Sequence, residues 1–266
     1  MNRFPRAALA AAVLAATMAA VPAQAKIQPI PDRESAEDLA QAMASDRKMV
    51  KRAFFSVVPP VGNPAAVSTT KLADFPRRGK SYAILSSGDA ARAGERNRSG
   101  SLSGANLGPL LRGTRDAVIM RVDLRVPSNA NCLSFRFRFL TDEFPEFVND
   151  LFNDAFIAEL GNSNWAAAGP SDPTITAPNN FAVDSQKRPI RVNSVGDTSL
   201  TKANAKGTTY DGATKVLRAS TEVKPGNRTL YLSIFDQGDR GYDSTVFLDR
   251  LTISRNGSCE SGVIVD

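Results

Sequence analysis

The chain has 266 residues, with 33 Lys and Arg against 27 Asp and Glu, a formal net charge of +6 and no histidine. The missing imidazole excludes Ser-His-Asp and Cys-His nucleophilic catalysis, and also zinc, iron or copper sites that use His ligands. The basic excess is thinly spread: its sharpest cluster, Arg92 to Arg98, holds three Arg beside Glu95 with no interleaved aromatic residue, so no nucleic-acid partner is expected.

The first residues read as an export signal. Arg3 and Arg6 precede an apolar run from Ala7 to Val21, and Pro22-Ala23-Gln24-Ala25 supplies a small-x-small cleavage pattern. The run is short for a spanning helix, which needs roughly 20 apolar residues. No twin-Arg pair is present, so the general secretory route and cleavage after Ala25 are expected. The organisation that follows is a signal peptide over 1–25, a linker with an N-terminal helix over 26–53, and one β-sandwich domain over 54–266. The product is expected to be secreted or periplasmic, with no membrane span after cleavage.

Ile27 to Pro31 reads as an extended linker and Asp32 to Val50 as a helix. Ser35 is placed to cap that helix, and Glu37 and Asp38 fall in its first turn, where they suit the helix dipole. Ala36, Leu39, Ala40 and Met43 form an apolar stripe suited to packing on a sheet.

From Phe54 onward the hydrophobic period becomes two. Val118, Met120, Val122, Leu124 and Val126 alternate with Ile119, Arg121, Asp123 and Arg125; Leu133, Phe135, Phe137 and Phe139 alternate with Ser134, Arg136 and Arg138. The turn-rich Pro127 to Asn131 between them predicts a hairpin. Further strands are expected around Tyr82–Ser86, Phe156–Leu160, Ile190–Val192, Thr214–Ala219, Leu230–Ile234 and Phe247–Ile253. Many short strands, no internal repeat and no recurring β-then-helix unit predict an all-β fold, a β-sandwich or jelly roll with one short N-terminal helix. Gly161 to Asn180 and Ser194 to Gly212 are long polar loops, the first carrying Trp165, the chain's one tryptophan.

Cys132 and Cys259 are the only thiols. In an oxidising compartment they are expected to form a disulfide that ties the C-terminal end to the Phe-rich strand.

Two segments concentrate oxygen ligands. The first runs from Thr141 to Asp154 and carries Asp142, Glu143, Glu146, Asp150 and Asp154 among Phe144, Phe147 and Phe152. The second, Asp236-Gln237-Gly238-Asp239-Arg240-Gly241-Tyr242-Asp243-Ser244, leads into a strand with Asp249. Carboxylates at Asp236, Asp239 and Asp243 in a loop that Gly238 and Gly241 let curl suggest a calcium site, joined by Asp249 or by acids from Asp142, Glu143, Glu146 and Asp154. The spacing is not that of a helix–loop–helix calcium hand.

Phe137-Arg138-Phe139-Leu140-Thr141-Asp142-Glu143-Phe144-Pro145-Glu146-Phe147 and Phe152-Asn153-Asp154-Ala155-Phe156 resemble the "F-x-F-x-S-E-E-[FY]-P-E-[FY]" and "F-N-D-x-F" segments of the choice-of-anchor L family of bacterial exported proteins. Thr141-Asp142 stands where that family more often has Ser-Glu. Ser86-Ser87-Gly88, Ile190 to Asn193 and Asp239 to Asp249 add weaker matches. The resemblance implies an exported or surface-displayed β domain and supplies no mechanism. Family members carry differing C-terminal sorting signals; here Ser258 to Asp266 shows no apolar tail or basic stop, so a released product is expected.

Two functions of different class remain open. The favoured one is a non-catalytic extracellular binding or structural domain, stabilised by calcium and acting on an unidentified extracellular or cell-surface ligand. The alternative is a carbohydrate-directed protein: a glycan-binding module that stacks sugars on Trp165, Tyr210 or Tyr242, or a glycoside hydrolase pairing Glu143 with Glu146 or Asp154.

Overall fold

The computed structural model describes residues 27–30, 32, 34–75, 79–97 and 110–266. The expected signal peptide and its cleavage site, together with Pro31 and Arg98, lie outside the described residues. In chain order the elements are β1 (Ile27–Pro29), α1 (Glu37–Met43), β2 (Val50–Val57), β3 (Ala65–Ser68), β4 (Tyr82–Ser86), β5 (Arg115–Val126), β6 (Cys132–Thr141) and β7 (Ala155–Leu160). They continue with β8 (Ala166–Ala167), β9 (Ile175–Thr176), β10 (Ile190–Arg191), β11 (Gly212–Ala213), β12 (Leu217–Glu222), β13 (Gly226–Asp236), β14 (Ser244–Ser254) and β15 (Gly262–Val265).

Two antiparallel sheets face each other. One has the order β1-β3-β4-β14-β6-β12-β15, with β11 also paired to β6; the other has the order β10-β7-β13-β5-β2. The alternation read from the sequence sets which side chains point inward. Val118, Met120, Val122 and Leu124 of β5 and Leu230, Leu232 and Ile234 of β13 meet Phe135, Phe137 and Phe139 of β6 and Val246 and Leu248 of β14 in one core. Burying each such large apolar side chain contributes about 1.5–3 kcal/mol. Phe137 and Phe156 join the sheets, with ring centroids 5.1 Å apart.

The segment from Pro127 to Asn131 does not form the expected hairpin. β5 belongs to one sheet and β6 to the other, so it is an arch between them. Both strands carry an unbroken apolar face, and stacking those faces across the core buries both, whereas pairing edge to edge in one sheet would need other strands to cover them.

The N-terminal helix is shorter than the expected span of Asp32 to Val50. It covers Glu37–Met43 and ends where Ala44 turns extended (ψ 131°), followed by a single 3₁₀ turn at Arg47–Met49. The stripe of Ala36, Leu39, Ala40 and Met43 is fully buried in the sandwich core. Ser35 does not cap the helix in the usual way; the N-cap is Ala36, and the Ser35 hydroxyl only accepts a long bond (3.4 Å) from the Glu37 amide. Ile27–Pro29, expected as a linker, is extended and pairs with β3 at the sheet edge.

Loops close both outer faces. Phe75, Tyr82, Tyr210 and Phe247 pack over the larger sheet, while Trp165, Ile157, Ile175 and Phe235 pack over the smaller. Trp165 stacks on Phe235 with centroids 4.3 Å apart and donates its indole N–H to Ser233 Oγ at 3.0 Å.

Cys132 and Cys259 form a disulfide with their Cα atoms 5.5 Å apart, closing 127 residues of sequence. It fastens the segment between β14 and β15 to the start of β6. Replacing both cysteines with Ala should lower the unfolding free energy by about 2–5 kcal/mol. Denaturant melts of the wild type and the double variant check this, and coincident midpoints would contradict it.

Candidate functional site

Several connections cross between the sheets; Pro127–Asn131 is one, and the two acidic segments are others. The first acidic segment carries β6 over to β7, and the second carries β13 over to β14. Register puts both at one end of the sandwich, because Thr141 at the end of β6 pairs with Ser244 at the start of β14, and Phe235 near the end of β13 pairs with Ala155 at the start of β7. The end of β4 arrives there too, with Ser86 opposite Thr245.

The acids therefore sit at or next to strand ends and are buried there. Asp142, Glu143, Asp154, Asp236 and Asp243 are each no more than 2 % exposed. Backbone bonds stitch the two arches: the Asp142 amide donates to the Asp243 carbonyl at 3.1 Å, and the Asn153 amide donates to the Gln237 carbonyl at 3.4 Å. Side chains complete the link. Asp154 Oδ1 accepts from the Gln237 amide (2.9 Å), and its Oδ2 accepts from the Ser244 hydroxyl (2.7 Å), which lies 2.9 Å from the Thr141 hydroxyl. The arches also meet through their rings: Phe147 packs edge-on to Phe152 and against Tyr242, with centroids 5.1 and 5.0 Å apart.

At Gly88 and Gly238 close approach requires glycine. A Cβ at Gly88 would stand 2.1 Å from Asp243 Oδ2, so only glycine lets the end of β4 lie against that carboxylate. Gly238 has φ +107°, a left-handed conformation, and its Cα faces the Phe152 ring at a distance that leaves no room for a side chain. The expected curl at Gly238 is present, whereas Gly241 has ordinary backbone angles.

Asp236 is the extreme member of the group. It is fully buried and neither of its carboxylate oxygens has a well-formed hydrogen bond. Ser87 lies close enough to favour its ionised form slightly, but that hydroxyl donates instead to the Ser244 carbonyl at 3.2 Å. Burial, followed by the charges of Asp154, Asp243 and Asp116, raises the Asp236 carboxyl well above the usual carboxylate range. Burial likewise lifts Asp154 to about 7, with Asp239 adding to the rise and the interactions with Ser244, the Gln237 amide and the Asp236 carboxyl opposing it. Glu143 is pushed up to about 11 by burial and by the charges of Asp154, Asp239 and Asp150, and its Oε2 accepts no hydrogen bond. Among the described residues, no Lys or Arg forms an ion pair with Glu143, Asp154 or Asp236.

The residues expected to act together thus divide. Asp236, Asp243, Asp142, Glu143 and Asp154 are all buried at this end of the sandwich, with Asp236 close enough to Asp154 and Asp243 to feel their charge. Asp239 is half-buried at the rim, where its Oδ1 accepts from the Gly241 amide at 3.0 Å. Asp249 does not join them: it lies six positions along β14, opposite Arg136, and accepts from the Arg250 amide at 2.7 Å. A strand rising about 3.3 Å per residue carries it far from the arches. Glu146 faces solvent. Ser87, Ser244, Gln237 and Asp116 also lie at this end; the first three fall in segments noted from the sequence without being given a site role, and Asp116 had no signal beyond its place near the start of β5. Of the aromatic residues offered as sugar platforms, Trp165 and Tyr210 are buried, and Tyr242 packs on Phe147.

This is a disulfide-closed all-β sandwich whose acidic arches seal one end. A family model described as "Choice-of-anchor L domain" matches residues 36–254, and the chain belongs to that family. Such domains belong to bacterial surface or exported proteins. No curated protein matches the chain. A solved structure of TmCBM61 in complex with beta-1,4-galactotriose is similar to it at 8% sequence identity, covering 77% of this chain and 88% of that one with a TM-score of 0.32. A likeness that loose transfers neither site nor ligand. Among the described residues, no helix is long and apolar enough to cross a membrane.

A carboxyl whose pKa rises on folding stabilises the fold below its unfolded value and loses that contribution as pH rises through its folded value. For Asp154 the window runs from 3.8 to about 7. In divalent-free buffer the melting temperature should therefore fall between pH 5 and pH 8, and Asp236→Asn should flatten the fall. A wild-type profile that is level or rising over that interval would contradict this electrostatic account.

Proposed function

We propose that the protein works outside the cytoplasm as a non-catalytic binding or structural domain. The observation that supports this reading is the sealing of its acids. Hydrolysis by a carboxylate pair needs both groups to face a substrate across an open cleft, about 5 Å apart for retention and 6.5–9.5 Å for inversion. Glu143 and Asp154, the best candidates for such a pair, are 1 % and 0 % exposed. A polysaccharide cannot reach them without opening both arches. Glycan stacking loses support in parallel, because Trp165 and Tyr210 spend their rings on the protein's own packing. Membership of a family of surface and exported domains agrees with a role in display, adhesion or assembly.

Incubation of the purified protein with a panel of xylan, galactan, cellulose, starch and chitin should release no reducing sugar above buffer. Turnover that Glu143→Gln abolishes, with an unchanged circular dichroism spectrum, would defeat the reading.

A further inference from the structure

We infer that the end of the sandwich where the two acidic arches meet binds one calcium ion, held by Asp236 together with Asp154 and Asp243. Asp236 is the starting point, since it has two carboxylate oxygens, no exposure and no well-formed hydrogen bond to either oxygen. An ionised carboxylate left in that state is costly unless a positive partner is supplied. No Lys or Arg among the described residues supplies one. Its neighbours are further acids, Asp154 and Asp243, brought in from the two arches.

The donor chemistry selects the ion. The chain has no His, and both Cys are in the disulfide, so every available side-chain ligand is an oxygen. Oxygen-only donors suit a hard cation. Two more oxygens on the same arches are buried without partners, Glu143 Oε2 and the amide oxygen Gln237 Oε1. Calcium accepts 6–8 oxygens in a flexible arrangement, including amide carbonyls, whereas magnesium demands a tight octahedron and keeps several waters. Ligands delivered by two separate arches meet the looser requirement more readily. Among the described residues no three carboxylates already stand in a coordinating array, so binding draws them together by side-chain rotation from strand ends that already converge. Asp249 is excluded from the ligand set by its place along β14, and Glu146 by its exposure. The inference is independent of the non-catalytic reading, since an enzyme could be stabilised by the same ion.

The test uses the whole exported chain, stripped with a chelator and melted in EGTA, in 10 mM calcium and in 10 mM magnesium, with a calorimetric titration of calcium alongside. For a site with a Kd of about 0.1–1 mM, calcium should raise the melting temperature by about 3–10 °C. Magnesium should raise it less. Asp236→Asn, which keeps the shape and removes the charge, should melt no lower than the wild type in EGTA and should lose the calcium shift; Glu146→Gln should retain it. A wild type with neither a shift nor binding heat overturns the inference, and that measurement stands even if a variant fails to fold. A shift undiminished in Asp236→Asn, or one larger with magnesium, overturns it as well.

Discussion

The carboxylates of Asp154 and Asp236 meet inside the end of a β-sandwich, where water cannot screen them and no guanidinium or ammonium pairs with them. Burying an ion without a partner costs several kcal/mol, and a second like charge nearby adds to the penalty. Such an arrangement persists only if the surrounding structure holds it in place or if something neutralises it. Both conditions act on the same few residues. Asp154 is anchored by one hydrogen bond to each oxygen, from Ser244 and from the Gln237 amide, so its position is fixed. Asp236, in contrast, is held by its backbone at the end of β13, and neither of its oxygens has a well-formed hydrogen bond.

The fold explains why these acids are brought together. Both acidic segments are arches between the sheets, and the antiparallel register of β6 with β14 and of β7 with β13 requires both to emerge at one end. The disulfide lies at the other end of β6, nine residues from Thr141, and closes the sandwich where the acids do not. Between the two ends the core is continuous aromatic and aliphatic packing, from Phe135 and Phe137 on one sheet to Phe156 on the other. The molecule thus has a covalently tied end and an electrostatically loaded end, with a conventional hydrophobic core between.

The strands and the inward faces were legible because period-two alternation reports burial directly: Val118 to Val126 and Leu133 to Phe139 point as their patterns require. Pairing was less legible. Alternation gives the face of a strand and says nothing about which sheet it joins, which is why Pro127 to Asn131 read as a hairpin and is an arch. Short strands such as Ala65–Ser68 and Gly212–Ala213 carry too few residues to show a period. At the acidic end, the residue types were visible and their convergence was not. Asp249 seemed to belong with Asp243 because it follows closely in sequence, yet a strand separates near neighbours that a loop would have gathered. Asp154, a secondary candidate from the sequence, lies at the centre because β7 begins opposite the end of β13.

The central claim is that Asp154 and Asp236 sense each other's charge across the two arches. A double-mutant cycle of unfolding free energies, using Asp154→Asn, Asp236→Asn and the pair at pH 8 in divalent-free buffer, measures that coupling most directly. Distant independent sites add within about 0.3–0.5 kcal/mol, whereas residues in direct interaction couple by about 0.5–3 kcal/mol. The account predicts that the two substitutions together relieve less strain than the sum of each alone, by at least about 1 kcal/mol on that scale. Additive effects would mean that the two carboxylates do not meet, and would contradict it.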